Sequence, residues 1–521
     1  MKNVMIMFFA FFLLLITSKS AFPQNSLYLV DTLTGTAANN KLWKAEGIGD
    51  FNGDGYADFI VCYSNYIDLY FGNPGFTLKP AHRFYVSMAY GIGDVNGDGY
   101  ADLMLISADT VMGKAVPYGE IILGGKELDT IPKFKYYPPY YWDMELTDEV
   151  YPLGDLNGDG YNDFVIASPY NWGDGLGRVY IFKGGKNLAD TPWVVLKTTL
   201  GKRTHFFGTS ILGIGDYNDD GYNDLLVTDP TLEEDTDKVY LYLGNKDNIS
   251  TIPYKTFGPY KYLMDVKAAG DLNSNGKSDF IISANDTVRI YLGNDNPIIY
   301  DSTKLGTGGY VAIGTGGDIN NDGYDDFLIG DDGYKKVSVY MGQFVTFWGK
   351  ADIDTSYNFS IEGYQQYSSF AKSLSIVGDI NGDGYADVFV LAPSYRNYDN
   401  LDSTVGRLYI YSYVKITGIK DKDIITPNDF KLNQNYPNPF NSSTAISFQL
   451  SAVSYVTLKI FNSLGQEIIT LINNLPQSTG EHKIEFNAEK YSLSSGVYFL
   501  ELDAANIHNQ FKEVIKIVYL K

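Results

Sequence analysis

Nine residues, Asp94-Val-Asn-Gly-Asp-Gly-Tyr-Ala-Asp102, place oxygen-bearing side chains at positions 1, 3, 5 and 9 of one short loop. The chain repeats this pattern seven times. Glycine at position 6 permits the sharp turn that gathers these side chains, and the main-chain carbonyl at position 7 adds another oxygen. Hard oxygens at this spacing suit calcium, which accepts roughly six to eight of them in flexible geometry. A single copy would be weak evidence, because ordinary Asx-rich turns share its letters. Seven copies in register point to a set of up to seven Ca2+ sites.

In loop 1 the candidate ligands are Asp50, Asn52, Asp54, Tyr56 and Asp58; in loop 2 they are Asp94, Asn96, Asp98, Tyr100 and Asp102. Loop 3 offers Asp155, Asn157, Asp159, Tyr161 and Asp163, and loop 4 offers Asp216, Asn218, Asp220, Tyr222 and Asp224. Loop 5 departs, with Asp271, Asn273, Asn275, Lys277 and Asp279. Loop 6 returns to type with Asp318, Asn320, Asp322, Tyr324 and Asp326, as does loop 7 with Asp379, Asn381, Asp383, Tyr385 and Asp387. The neutral Asn275 lowers the ligand charge, so loop 5 is expected to bind weakest. The six tyrosines at position 7 have two readings, a ring facing a ligand or a ring packed over the loop.

The residues on the C-terminal side of each loop identify the elements that hold it. An EF-hand would leave on a helix and carry Glu at position 12. Here the loops run into Phe59-Ile-Val-Cys-Tyr, Leu103-Met-Leu-Ile-Ser, Phe164-Val-Ile-Ala-Ser and similar short β-branched runs after the other four, which read as buried strands. The loops recur every 44 to 61 residues, a propeller-blade period. A second alternating run follows each loop and ends in glycine in six of the seven units, among them Ile67–Gly72, Arg178–Gly184, Lys238–Gly244 and, in the sixth, Val337–Gly342; the seventh is Arg407–Tyr411. Another extended pair precedes each loop, such as Trp193-Val-Val-Leu and Ile211-Leu-Gly-Ile-Gly. Four strands per unit and seven units predict an all-β fold, a seven-bladed β-propeller with calcium-binding loops.

The segment from Phe207-Gly-Thr-Ser through Gly215-Asp-Tyr-Asn-Asp-Asp-Gly-Tyr to Val227-Thr-Asp-Pro resembles the FG-GAP repeat of integrin α-subunit propellers. Phe370-Ala-Lys-Ser through Leu391-Ala-Pro is similar, with Ala where the Gly would stand. The resemblance covers about residues 27–415. It implies a ring closed by the first strand completing the last blade, a part for which Leu27–Leu33 is placed.

Both ends are expected to carry transport signals. Lys2, an apolar run from Val4 to Ile16 and Ser18-Lys-Ser20 read as a signal peptide over 1–20. The propeller is expected over 21–416 and a polar linker over 417–429. Residues 430–521 hold alternating runs between turns, a small Ig-like β-sandwich. Its ordered set Tyr436-Pro-Asn-Pro-Phe440, Leu464-Gly-Gln466, Ser495-Gly-Val-Tyr498 and basic end resembles a type IX secretion system type A sorting domain. That implies the type IX machinery as partner and a secreted or outer-membrane cell-surface location in a diderm bacterium.

A net charge of −22 argues against nucleic acid and anionic membrane surfaces, and seven dications would offset well over half of it. No later run is long and apolar enough for a transmembrane helix. Cys62 is alone, so no disulfide framework exists, and the calcium loops would be the staples. His82 and His205 stand in unrelated contexts, and no HExxH or GxSxG frame occurs. The expected role is a binding or adhesion module for protein or glycan, not an enzyme. The alternative is a surface polysaccharide lyase or hydrolase on the same scaffold. The aromatic run Tyr136–Trp142, with Trp172, reads either as a binding rim or as an outer strand and its turn.

Overall fold

The computed structural model describes residues 25–415 and 430–521 apart from internal segments, the longest being 138–148, 170–176, 199–205, 302–310, 332–342 and 397–403. The segments expected to be a signal peptide, 1–20, and a linker, 417–429, lie outside the described residues. All regular elements described are strands.

The strand after each loop has apolar residues on both faces because both faces are covered. Asp58–Tyr63, Asp163–Ser168, Asp224–Asp229, Asp279–Ala284 and Asp326–Asp331 are buried at every residue. Cys62 lies in the first of these, fully buried. Each such strand is second in an antiparallel sheet of four. In the first blade the order is Leu42–Gly49, Asp58–Tyr63, Tyr66–Tyr70 and His82–Phe84. Between Asn25 and Lys415 the described residues form seven such sheets. Each innermost strand packs on that of the next sheet, and Leu42–Gly49 packs on Ser373–Ile376 of the last. The ring is therefore closed.

The cores lie between blades. Ile48, Phe51 and Ile60 of the first blade pack with Ala89, Leu103 and Ile122 of the second, and like clusters join the second to the sixth blades in turn. Directly after four of the loops an aromatic pair stacks across the two middle strands. The pairs are Phe59–Tyr70 at 4.8 Å, Phe164–Phe182 at 5.1 Å, Phe280–Tyr291 at 4.6 Å and Phe327–Phe347 at 4.6 Å. Stacked pairs of this kind contribute about 0.5–1.5 kcal/mol beyond their buried area. They anchor the feet of these four loops in the core.

The sixth blade corrects one strand assignment. Val337–Gly342 falls outside the described residues, and the third strand there is Gln343–Phe347, paired Phe327↔Phe347. The glycine after that strand is Gly349, whose N–H reaches Asp326 Oδ1 at 2.7 Å.

The seventh sheet runs Ser373–Ile376, Val388–Ala392, Arg407–Lys415 and then Asn25–Thr34. Arg407 Nε donates to Thr34 Oγ1 at 2.8 Å, Gly35 N to Gly406 O at 3.1 Å, and Leu42 N to Val405 O at 2.9 Å. The first strand therefore completes the last blade. Deleting residues 25–34 is expected to leave Arg407–Lys415 as an unpaired edge, which promotes aggregation. Size-exclusion chromatography would show it, and a monodisperse, equally stable product would refute this closure.

Two compact units are distinguished, Thr32–Tyr413 and Val414–Lys521, the latter grouped with residues 1–31. The tail holds two sheets. One pairs Lys431–Leu432, Ser443–Leu450 and Gly480–Asn487; the other pairs Glu467–Gln477, Ser454–Phe461, Gly496–Ala505 and Gln510–Tyr519. Ser443–Leu450 alternates strictly between half-buried and buried residues, as one face of a sandwich requires. Its core, with Phe440, Phe448, Leu458, Leu500 and Tyr519, is drawn entirely from tail residues.

Candidate metal centres

Each loop bridges an innermost strand and its buried neighbour, so its two ends are fixed by the sheet. Inside it, position 1 organises the turn. Asp94 Oδ1 accepts the N–H groups of Gly97 and Asp98 at 2.7 and 3.2 Å, and Oδ2 that of Gly99 at 2.8 Å. Asn96 Oδ1 accepts Asp98 N at 2.9 Å, and Asp98 Oδ1 accepts Tyr100 N at 3.1 Å. The same bonds recur at Asp50, with 2.6, 3.2 and 2.8 Å for position 1. Position 6 has φ near +90°, as at Gly99 (φ 91), with nothing where a Cβ would stand. Glycine there is conformational.

Position 9 differs from the other ligand positions. Asp58, Asp102, Asp163, Asp224, Asp279, Asp326 and Asp387 are fully buried under their loops. Asp102 Oδ2 accepts Val95 N and its Oδ1 accepts Gly124 N, both at 2.9 Å. The carboxylate thus clamps position 2 of the loop to the end of the third strand. Burial is the largest cause of a raised pKa at all seven, from about 6 at Asp224 to about 8 at Asp326 and Asp387. The charges at positions 1 and 5 push the same way, as Asp94 and Asp98 do to Asp102, which stands at about 7.

Do these residues fit a dication? As they stand the carboxylates are turned onto loop amides. Among the described residues no three acid, His or Cys side chains converge on one point. Two observations favour the fit. Three carboxylates within nine residues repel one another with no cation in most loops to balance them. Three buried oxygens at candidate ligand positions also have no hydrogen-bond partner: Asn218 Oδ1 and Asn320 Oδ1 at position 3, and Asp279 Oδ1 at position 9. Buried acceptors are rarely left so, and a hard cation is what an all-oxygen set would take.

Four of the six position-7 tyrosines pack over a loop of the blade before. A Cβ at Gly97 would stand 2.6 Å from the Tyr161 ring, one at Gly158 2.7 Å from Tyr222, and one at Gly382 2.7 Å from Tyr56. Tyr100 covers Gly53 in the same way. These glycines at position 4 have positive φ, 73° at Gly97, which asparagine, aspartate or serine can adopt at some cost. Main-chain bonds join the same neighbours. Ala101 N donates to Asp50 O at 2.9 Å, Asn223 N to Asp155 O at 3.0 Å, and Ala57 N to Asp379 O at 3.0 Å across the closure. Where loop 5 has Lys277, loop 4 has Asp219 at position 4, and the two form an ion pair at 2.9 Å. Sequence reading missed this coupling. Its signal was present: the one loop with Lys at position 7 comes directly after the one with Asp at position 4.

Comparison with known families agrees with this arrangement. Residues 50–105, 155–227 and 216–282 match the FG-GAP-like repeat, residues 370–411 the FG-GAP repeat, and residues 434–517 the secretion system C-terminal sorting domain. The chain carries FG-GAP repeats and a secretion-system sorting domain. Among its relatives, integrin alpha-5 of Xenopus laevis is 30% identical over 169 residues, 29% of this chain and 16% of that one. Integrin alpha-IIb of Mus musculus is 46% identical over 77 residues, 15% and 7% of the two chains. Integrin alpha-6 of Homo sapiens is 32% identical over 154 residues, 28% and 13%. The matched part is thus under a fifth of each relative's length. Loop 6 lies outside the matched FG-GAP spans, yet its blade has the same four-strand order. The FG pair of the repeat takes positive φ at its second residue, 90° at Gly208 and 64° at Ala371. The sorting domain marks a protein exported by type IX secretion, to the cell surface or the medium. No described helix is long and apolar enough to cross a membrane.

The remaining sequence candidates divide. Tyr136 is buried against Phe182 at 4.9 Å, so it is core. Tyr137 is exposed, its hydroxyl on Asp109. Residues 138–142, Trp172 and His205 lie outside the described residues. His82 packs on Phe84 in an outer strand.

Proposed function

We propose that this exported FG-GAP propeller binds calcium at its seven loops and acts as a binding or adhesion module for a protein or glycan. The carrying observation is the loop ring itself. Main-chain bonds join five of the seven neighbouring pairs of acid-rich loops, the Lys277–Asp219 ion pair joins loops 4 and 5, and Asn321 Nδ2 donates to Gly384 O between loops 6 and 7. Three buried oxygens at ligand positions have no partner. Positions 1, 3 and 5, the position-7 carbonyl and the position-9 carboxylate would hold the ion. Bound there, a dication supplies the positive charge that three mutually repelling carboxylates lack. The chain's own residues do the rest: position 1 shapes the turn, position 9 clamps it to the third strand, and four of the position-7 tyrosines cover a neighbouring loop. The secretion machinery is the partner proposed for the sorting domain. Incubating the full-length protein with glycan and protein arrays, while assaying the same glycans for cleavage, tests the role. Calcium-dependent retention without new reducing ends or unsaturated sugars is expected. Product release would replace this reading with a polysaccharide-degrading one.

A further inference from the structure

Loops 4, 5 and 6, which break the acid pattern, are consecutive, and the breaks in loops 4 and 5 are each met by a charge from the next blade. The other four loops carry three acids within their nine residues, at positions 1, 5 and 9. Loop 4 keeps those three and adds Asp219, and the Lys277 ammonium of the next blade sits 2.9 Å from its carboxylate. Loop 5 has only Asp271 and Asp279, and Lys277 is turned away from it towards loop 4.

Loop 6 also has a fourth acid, Asp325 at position 8, where the other loops hold Ala, Asn or Ser. Asp325 Oδ2 accepts the N–H of Asp271 at 2.8 Å, so this carboxylate lies against position 1 of loop 5 rather than serving its own nine residues. A Cβ at Gly270 would collide with it, so the glycine makes room for the approach. An independent sign comes from Asp279. In loops 1, 2, 3, 4 and 6 the position-9 Oδ1 accepts a glycine N–H at the end of the third strand. In loop 5 that oxygen is buried with no partner, free for a ligand the protein does not itself provide.

We propose that Asp325 completes loop 5 from the neighbouring blade, so that the affinity of this loop for a divalent cation is set by a residue of the blade after it. With Lys277 counted to loop 4 and Asp325 to loop 5, all seven loops have the same net charge of three negatives. Loop 5 is then no weaker than the rest, contrary to what its own nine residues suggest. This rests on the calcium reading and concerns how that reading extends to the one irregular loop.

The test uses the full-length protein and calcium alone, with site-resolved occupancy from anomalous scattering at limiting calcium and stepwise affinities from calorimetry. Asp325→Asn should weaken loop 5 by about tenfold, the scale on which ligand charge tunes such loops, and leave loop 6 near its original occupancy. Moving the charge into loop 5, as Asp325→Asn with Asn275→Asp, should restore it. Unchanged occupancy in Asp325→Asn overturns the proposal. So does a loss that Asn275→Asp fails to rescue, since Asp325 would then be only a hydrogen-bond prop for Asp271. A wild-type protein that takes up no calcium overturns the metal reading and this inference together.

Discussion

Adding EDTA to the calcium-loaded protein is expected to lower its melting temperature by at least about 10 °C. A ligand that binds only the folded state stabilises it by about 2.7 kcal/mol per site at a hundredfold excess, and several such sites act on one ring. The effect should exceed a simple surface-ion effect because the loops are also blade connectors. Position 1 carbonyls accept N–H groups of the next loop, as Asp50 does from Ala101 and Asp379 from Ala57. Two substitutions in loop 2 separate metal binding from scaffolding. Asp98 is exposed, so Asp98→Ala should cost about 2–3 kcal/mol in calcium and little in EDTA. Asp102 is buried and accepts Val95 N and Gly124 N, so Asp102→Ala should cost about 2–4 kcal/mol in both conditions. Equal melting curves in EDTA and in millimolar calcium would defeat the calcium reading. Equal behaviour of the two variants would defeat the division of labour between positions 5 and 9.

A propeller ending at about residue 416 is expected to keep its calcium response and yet fail to leave the periplasm of its host. The tail core is built from residues 430–519 alone, so the cut should not open the propeller. Export should be lost because the motif pieces at the two ends of the tail form one assembly. Phe440 N donates to Val518 O and Leu520 N to Phe440 O, both at 2.9 Å, while Asn438 Oδ1 accepts Val518 N at 2.9 Å. Gln434 Nε2 and Asn438 Nδ2 both reach Lys516 O, at 2.9 and 3.1 Å. Tyr436 stands out from this assembly, 82% exposed. Residues 417–521 behind a signal peptide and a neutral reporter should carry that reporter to the surface. Secretion of the truncated propeller, or retention of the reporter inside the cell, each measured by fractionation, would show that the tail is not the address.

Much of the fold is legible in local spacing. Phe59–Tyr63 and its six counterparts are recognisable as strands because residues covered on both faces form unbroken apolar runs too short for a helix. The third strand of the sixth blade is not, because Val337–Gly342 and Gln343–Phe347 both alternate and both lead to a glycine. Only the pairing of Phe347 with Phe327 and of Gly349 with Asp326 chooses between them.

The acid loops and the apolar strand runs that follow them are each written within ten or twenty consecutive residues. At that range side-chain type and φ preference act directly, so the amino-acid order is enough to specify them. What those residues do to one another came from the tertiary structure. It gave Asp102, a candidate ligand, a second part as a buried clamp, and it laid Tyr161 over Gly97 of the preceding loop. It also set Lys277 on Asp219 and Asp325 on Asp271, each across a blade boundary. Those partners lie some fifty to sixty residues apart in the chain, and nothing in local spacing says which loop will be the neighbour. Closure of the ring says it, by placing every loop between two others.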